Sequence, residues 1–133
     1  VRRLWVHRTI DAPPEVLWRL LTDPEQWVSW APTVTGAVVA GGRIERGSTG
    51  SVRTVVGLTL PFEITDLEEG ARWAWQVAGV PATDHTVEAL GPNRCRVGFG
   101  VPWPFAAYLV VCRLALSRLD DVATQVVADD PGP

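Results

Sequence analysis

Trp5-Val6-His7-Arg8-Thr9-Ile10-Asp11-Ala12-Pro13-Pro14-Glu15-Val16-Leu17-Trp18-Arg19-Leu20-Leu21-Thr22-Asp23-Pro24-Glu25-Gln26-Trp27-Val28-Ser29-Trp30 is the stretch whose reading decides the fold. Residues 5–10 interleave β-branched and polar side chains, the pattern of a half-buried strand. A proline pair follows Asp11, and proline near the first helical position is pre-set in φ with no N–H left unpaired. Val16, Leu17, Leu20 and Leu21 then recur at helical spacing. Thr22-Asp23-Pro24 ends that helix and starts another, with Asp23 as N-cap and Pro24 at the first helical position. The second helix is short and carries Trp27 and Trp30.

Six further strand-like runs follow. They cover residues 32–40, 51–57, 62–67, 71–77, 83–90 and 94–100, with residues 58–61 as a break, Glu68-Glu69-Gly70 as a tight turn and Gly79-Val80-Pro81 as another. The connections are short, so consecutive strands are antiparallel. In the 83–90 run, Thr83, His85, Val87 and Ala89 share one face. Across the Gly91-Pro92-Asn93 turn, Cys95, Val97 and Phe99 are apolar while Arg94 and Arg96 are charged, which places the apolar set inward with His85 and Val87 and leaves Glu88 outside beside Arg94 or Arg96. From Phe105 onward, Tyr108, Leu109, Cys112, Leu116, Leu119, Val122 and Val126 fall on one face at three- and four-residue spacing, opposite Arg113, Ser117, Arg118, Asp121 and Gln125. That is a long amphipathic helix laid on a sheet.

Residues 10–30 resemble the start of the START-like, or SRPBCC, superfamily, and within it the polyketide cyclase/dehydrase and coenzyme Q-binding group. The order of the later elements follows the same family over essentially the whole chain. The resemblance implies an α+β helix-grip fold, in which a curved antiparallel sheet wraps one long C-terminal helix and two short helices follow the first strand. Residues 1–128 are expected to form one domain, and residues 129–133 a flexible tail.

A chain of 133 residues can bury a real core without a metal or disulfide staple. The net charge of −3 gives no electrostatic case for nucleic acid. No apolar run approaches the length of a membrane span, and no signal-like segment opens the chain, so a cytoplasmic location is expected. The absence of methionine implies that a few residues precede Val1. Cys95 and Cys112 lack metal or redox spacing and are read as two reduced, buried thiols. Two distant histidines and no clustered acids argue against a metal, and nothing points to a cofactor.

In proteins that look like this one, the space between sheet and helix is an apolar ligand cavity. The inward positions expected to line it are Phe62, Ile64, Trp73, Trp75, His85, Val87, Val97 and Phe99 on strands, with Tyr108, Leu109 and Cys112 on the helix. Trp27 and Trp30 belong near one end and Trp103 near the start of the helix. Trp18 and Trp27 are read as structural. For Trp73 and Trp75, core filling and pocket lining both stay open. For His85, so do a satisfied interior histidine, bonded to Tyr108 or a backbone carbonyl, and a ligand-anchoring or acid–base group. His7 is placed on the surface.

Three functions compete. The first is binding of a small hydrophobic molecule such as a polyketide, isoprenoid, quinone or lipid. The second is an aromatase/cyclase or dehydratase working on a ligand in the same cavity, with His85 and Tyr108 as the catalytic pair. The third is a docking role for the helix segment 105–116, which leaves monomer and homodimer both open. The resemblance favours binding, because cyclases of the family carry several polar pocket residues, often arginine and tyrosine, whereas this chain has one tyrosine and arginines that mostly alternate outward.

Overall fold

The computed structural model describes residues 2–130. Strand β1 (Arg3–Ile10) leads to helix α1 (Pro14–Thr22), a 3-10 turn (Pro24–Gln26) and helix α2 (Trp27–Trp30). Strands β2 (Val34–Val39), β3 (Thr49–Thr54), β4 (Thr59–Glu68), β5 (Arg72–Val77), β6 (Val80–Gly91) and β7 (Arg94–Pro102) follow, then a 3-10 segment (Trp103–Tyr108) and helix α3 (Leu109–Asp129). The strands form one antiparallel sheet in the order β1-β7-β6-β5-β4-β3-β2. Register shifts in the β2/β3, β4/β5, β5/β6 and β6/β7 pairs add local bends and twist. The curved sheet packs against α3, which also touches α1 and α2. This is the helix-grip arrangement.

The α1–α2 junction shows how the sequence builds it. Asp23 caps the 3-10 turn, its side chain accepting from the Glu25 N–H at 3.0 Å. The last carbonyls of a helix have no partner within it. Here the indole N–H of Trp27 donates to the Leu21 carbonyl and that of Trp30 to the Leu20 carbonyl, both at 2.8 Å. A three-residue spacing puts both rings on one face of α2, so the two tryptophans tie it back onto the end of α1. Burying side chains such as Leu17, Leu21, Val97 and Leu119, all fully enclosed, contributes roughly 1.5–3 kcal/mol each.

Five sequence expectations shift. Residues 58–61 are not a break, since β4 begins at Thr59. The Pro61 carbonyl accepts from the Ala78 N–H, so the missing proline N–H would have faced the β5 side, beyond the last β4–β5 pair at Phe62 and Val77. Val80 and Pro81 belong to β6 and not to a turn. The turn is Ala78-Gly79, both at positive φ (53° and 78°), the signature of a two-residue hairpin loop. The last helix starts at Leu109, because Phe105 has non-helical angles inside the 3-10 segment. At its far end Val126 is exposed, whereas Ala115 and Ala123 are buried. Asp129 closes α3 instead of opening the tail, and the tail residues 131–133 lie outside the described residues.

Candidate ligand cavity

Between α2, α3 and the inner face of the sheet lies a cavity of about 630 Å³, within the range of small-molecule sites. Its deep wall is aromatic. Trp73 is stacked between Trp27 (ring centroids 5.5 Å apart) and His85 (3.9 Å), with Trp75 edge-on to Trp73 at 5.5 Å. Phe99 closes on His85 at 5.1 Å and on Trp30 at 5.6 Å. Val34, Val52, Leu60 and Val77 form the wall on the β2–β5 side, and Val111, Cys112 and Ala115 present α3. The outer part is bordered by Val80, Pro81, Pro104, Phe105 and Tyr108.

His85 sits on a directed hydrogen-bond chain. Its Nδ1 lies 3.3 Å from the Trp73 carbonyl, which can only accept, so Nδ1 carries the proton. Nε2 then accepts from the Thr83 hydroxyl at 3.0 Å, and Thr83 Oγ1 in turn accepts from the Trp75 indole N–H at 3.0 Å. Burial lowers the His85 pKa to about 3, against a smaller opposing effect of the Trp73 carbonyl. The imidazole is therefore neutral and locked in one tautomer at neutral pH.

This has a consequence for stability. The unfolded chain takes up the proton near pH 6.5, while the folded protein refuses it down to about pH 3. Stability is thus fully present above about pH 6.5 and falls as the pH drops toward 3, by roughly 1 kcal/mol per pH unit from this group. Urea unfolding at several pH values should show that slope, reduced in His85→Gln. Burial of His7 acts in the same sense, and burial of the Asp84 carboxyl, which raises its pKa, in the opposite one. Comparison with the variant isolates His85; equal slopes would refute the assignment.

Tyr108 does not bond His85. Its hydroxyl pairs with Thr33 Oγ1 at 3.0 Å near the cavity mouth, where Tyr108 is 38% exposed. Burial raises its pKa, partly offset by the Thr33 hydrogen bond, with Cys112 adding to the rise. Cys95 and Cys112 are free, buried thiols, each pushed up to about 11 by burial.

Of the residues read from the sequence, Trp30, Trp73, Trp75, His85, Phe99, Tyr108 and Cys112 come together on the cavity wall. Phe62, Ile64, Val87 and Val97 are buried in the core behind it. Phe62 is covered by Trp27 and Trp75, while α1 packs on β6 and β7 at the end that holds Val87 and Val97. Leu109 packs on the core edge, and Trp103 is 61% exposed, away from the wall. The kinked 3-10 segment presents Phe105 and Tyr108 to the cavity in its place. Trp27, expected near one end of the cavity and read as structural, is both an anchor for α1 and a wall residue. Val52 and Thr54 share one face of β3, and Leu60 shares the face of Phe62 and Ile64 on β4; that period of two held the signal for the missed β3–β4 wall.

Among the described residues no helix is long and apolar enough to cross a membrane, and no group of three or more histidines, cysteines and acids is placed to hold a metal. A curved sheet gripping a C-terminal helix around an apolar internal cavity defines a START-like, SRPBCC-type domain with a hydrophobic-ligand cavity. Residues 3–128 match the family described as polyketide cyclase / dehydrase and lipid transport, and the chain belongs to that family. No curated protein matches the sequence. Among solved structures, the chain is similar to the di-domain ARO/CYC BexL from the BE-7585A biosynthetic pathway (16% identity, TM-score 0.74), covering 97% of this chain and 48% of that one. It is also similar to XoxI from Bacillus cereus (14%, TM-score 0.73, 95% and 98% covered) and to NE0264 from Nitrosomonas europaea (15%, 0.70, 95% and 96%). At these identities the likeness is one of fold.

Proposed function

We propose that the protein holds a small hydrophobic molecule of the polyketide, isoprenoid, quinone or lipid kind, and that retention of this ligand, not chemistry on it, is its activity. The observation that carries this is the cavity wall: among the described residues it includes no charged side chain. The hydrogen-bonding groups of its deep part are mostly spent on one another. Aromatic faces then supply most of the contact energy.

Nile red, a neutral apolar dye, provides the test. It is expected to bind at one-to-one stoichiometry with quenching of tryptophan emission. Trp75→Ala removes an aromatic wall and the donor that holds Thr83, and is expected to weaken binding by about tenfold. No binding by the intact protein would overturn the reading.

The second reading, an aromatase/cyclase or dehydratase, draws on the family's own description and on the likeness to BexL. His85 and Tyr108 would be its proton-transfer groups. Against it, a histidine with a pKa near 3 and its free nitrogen occupied by Thr83 is a poor base at neutral pH. Incubation with a poly-β-ketone is expected to leave the spontaneous product distribution unchanged. A new product that disappears in His85→Ala would establish the enzyme instead.

A further inference from the structure

Resting on the binding reading above, the hydrogen-bond inventory of the cavity narrows the ligand's chemistry. Trp27 and Trp30 give their indole protons to α1 carbonyls, and Thr54 gives its hydroxyl proton to the Leu58 carbonyl at 3.1 Å. Trp75, Thr83 and His85 consume one another's protons in a chain that ends on the Trp73 carbonyl. Apart from the weakly donating Cys112 thiol, two side-chain donors are left over. One is the second proton of the Thr33–Tyr108 pair: whichever hydroxyl donates to the other, one O–H is free. The other is the Trp73 indole Nε1, on a wall residue and buried without a hydrogen-bond partner.

No ammonium, guanidinium or carboxylate stands on the wall among the described residues. Arg3, whose Nη1 donates to the carbonyl of the wall residue Ala82 at 3.2 Å, is already held by Asp84 at 2.9 Å. A carboxylate in the oxygen's place beside Tyr108 would give up part of its hydration against an apolar wall with no cation to replace it, a larger penalty than that for a neutral oxygen. The Tyr108 side chain marks the half-exposed mouth and the Trp73–Trp75–Phe99 surface the closed end.

We propose that the cavity selects an uncharged, ring-bearing ligand that carries an acceptor oxygen at the Thr33–Tyr108 end, and that it rejects the corresponding carboxylate. The ring lies on the tryptophan wall; the oxygen accepts the free hydroxyl proton at the mouth.

Three naphthalenes substituted at the same ring carbon test this by calorimetric titration of the full chain at neutral pH: the methyl ketone, the ethyl hydrocarbon and the carboxylate. The ketone is expected to bind about three- to tenfold tighter than the hydrocarbon, the return from one hydrogen bond. The carboxylate is expected to bind at least about tenfold more weakly than the ketone. The Thr33→Val, Tyr108→Phe double variant should bring the ratio of ketone to hydrocarbon affinity to about one, with a far-ultraviolet circular dichroism spectrum and urea midpoint showing that it is folded; a ketone preference retained in the folded variant would overturn the placement of the oxygen.

Carboxylate binding within about threefold of the ketone, or a ketone no tighter than the hydrocarbon, would overturn the selectivity while leaving the binding reading intact. Failure of both neutral probes would overturn the binding reading and this inference together.

Discussion

Gly50→Ala is expected to destabilise the protein by about 3 kcal/mol or more, a loss large enough to unfold many domains of this size. Gly50 lies in β3, opposite Val39 of β2 and Phe62 of β4. A Cβ there would run into the Val38 carbonyl oxygen and would lie 2.7 Å from the Phe62 ring. The carbonyl belongs to the backbone and cannot rotate away, so β2 must move relative to β3. Phe62 cannot yield either, since Trp27 and Trp75 cover it. Disturbance at Gly50 therefore reaches two tryptophans of the cavity wall. Gly36→Ala is the control, because its Cβ would meet nothing within 4 Å. Urea unfolding should show a large drop in midpoint for the first and almost none for the second; equal midpoints would contradict the packing described.

The second large effect concerns the ligand. Val111 is half-buried on α3 and forms part of the cavity wall. Val111→Trp places an indole in space that a ligand would occupy. Nile red affinity is expected to fall by at least about tenfold. Stability is expected to hold or rise, since the added ring buries apolar surface in an existing void without displacing the core. That combination separates loss of space from loss of fold. Unchanged affinity in a folded variant would show that the dye sits elsewhere.

The parts of the fold that were legible in the sequence are those fixed by local chemistry. Asp11 and the proline pair, the Asp23 cap and the Leu20/Leu21 pair place α1 and α2 without any tertiary information. The β6–β7 hairpin was legible because Cys95, Val97 and Phe99 alternate with charged or small residues, and all three are buried as that pattern requires. The Ala78-Gly79 turn was hidden because alanine rarely takes positive φ, so the Gly-Val-Pro string drew attention one residue too late. The start of α3 was hidden because a 3-10 segment and an α-helix share apolar spacing over so short a run.

Site residues were legible only as inward-facing positions. Phe62, Ile64, Val87 and Val97 point the same way as Trp73, Trp75 and Phe99, and alternation cannot tell a filled core from an open cavity. The difference depends on what stands opposite. Helix α1 packs on the sheet at the Val87–Val97 end, while α2 and α3 leave space in front of the tryptophans. The bond from His85 to a backbone carbonyl was among the readings the sequence left open. The Thr83–Trp75 extension of that bond, which explains the histidine's fixed direction, needed the observed geometry.

The most direct test of the central claim is native mass spectrometry of the protein isolated from its own cells, followed by denaturation and identification of released small molecules, alongside Val111→Trp treated identically. A single bound, uncharged apolar compound at one-to-one stoichiometry is expected in the natural protein and none in the variant. A natural protein that carries no ligand and takes up no neutral aromatic or isoprenoid probe, or a variant that retains the same adduct, would contradict that claim.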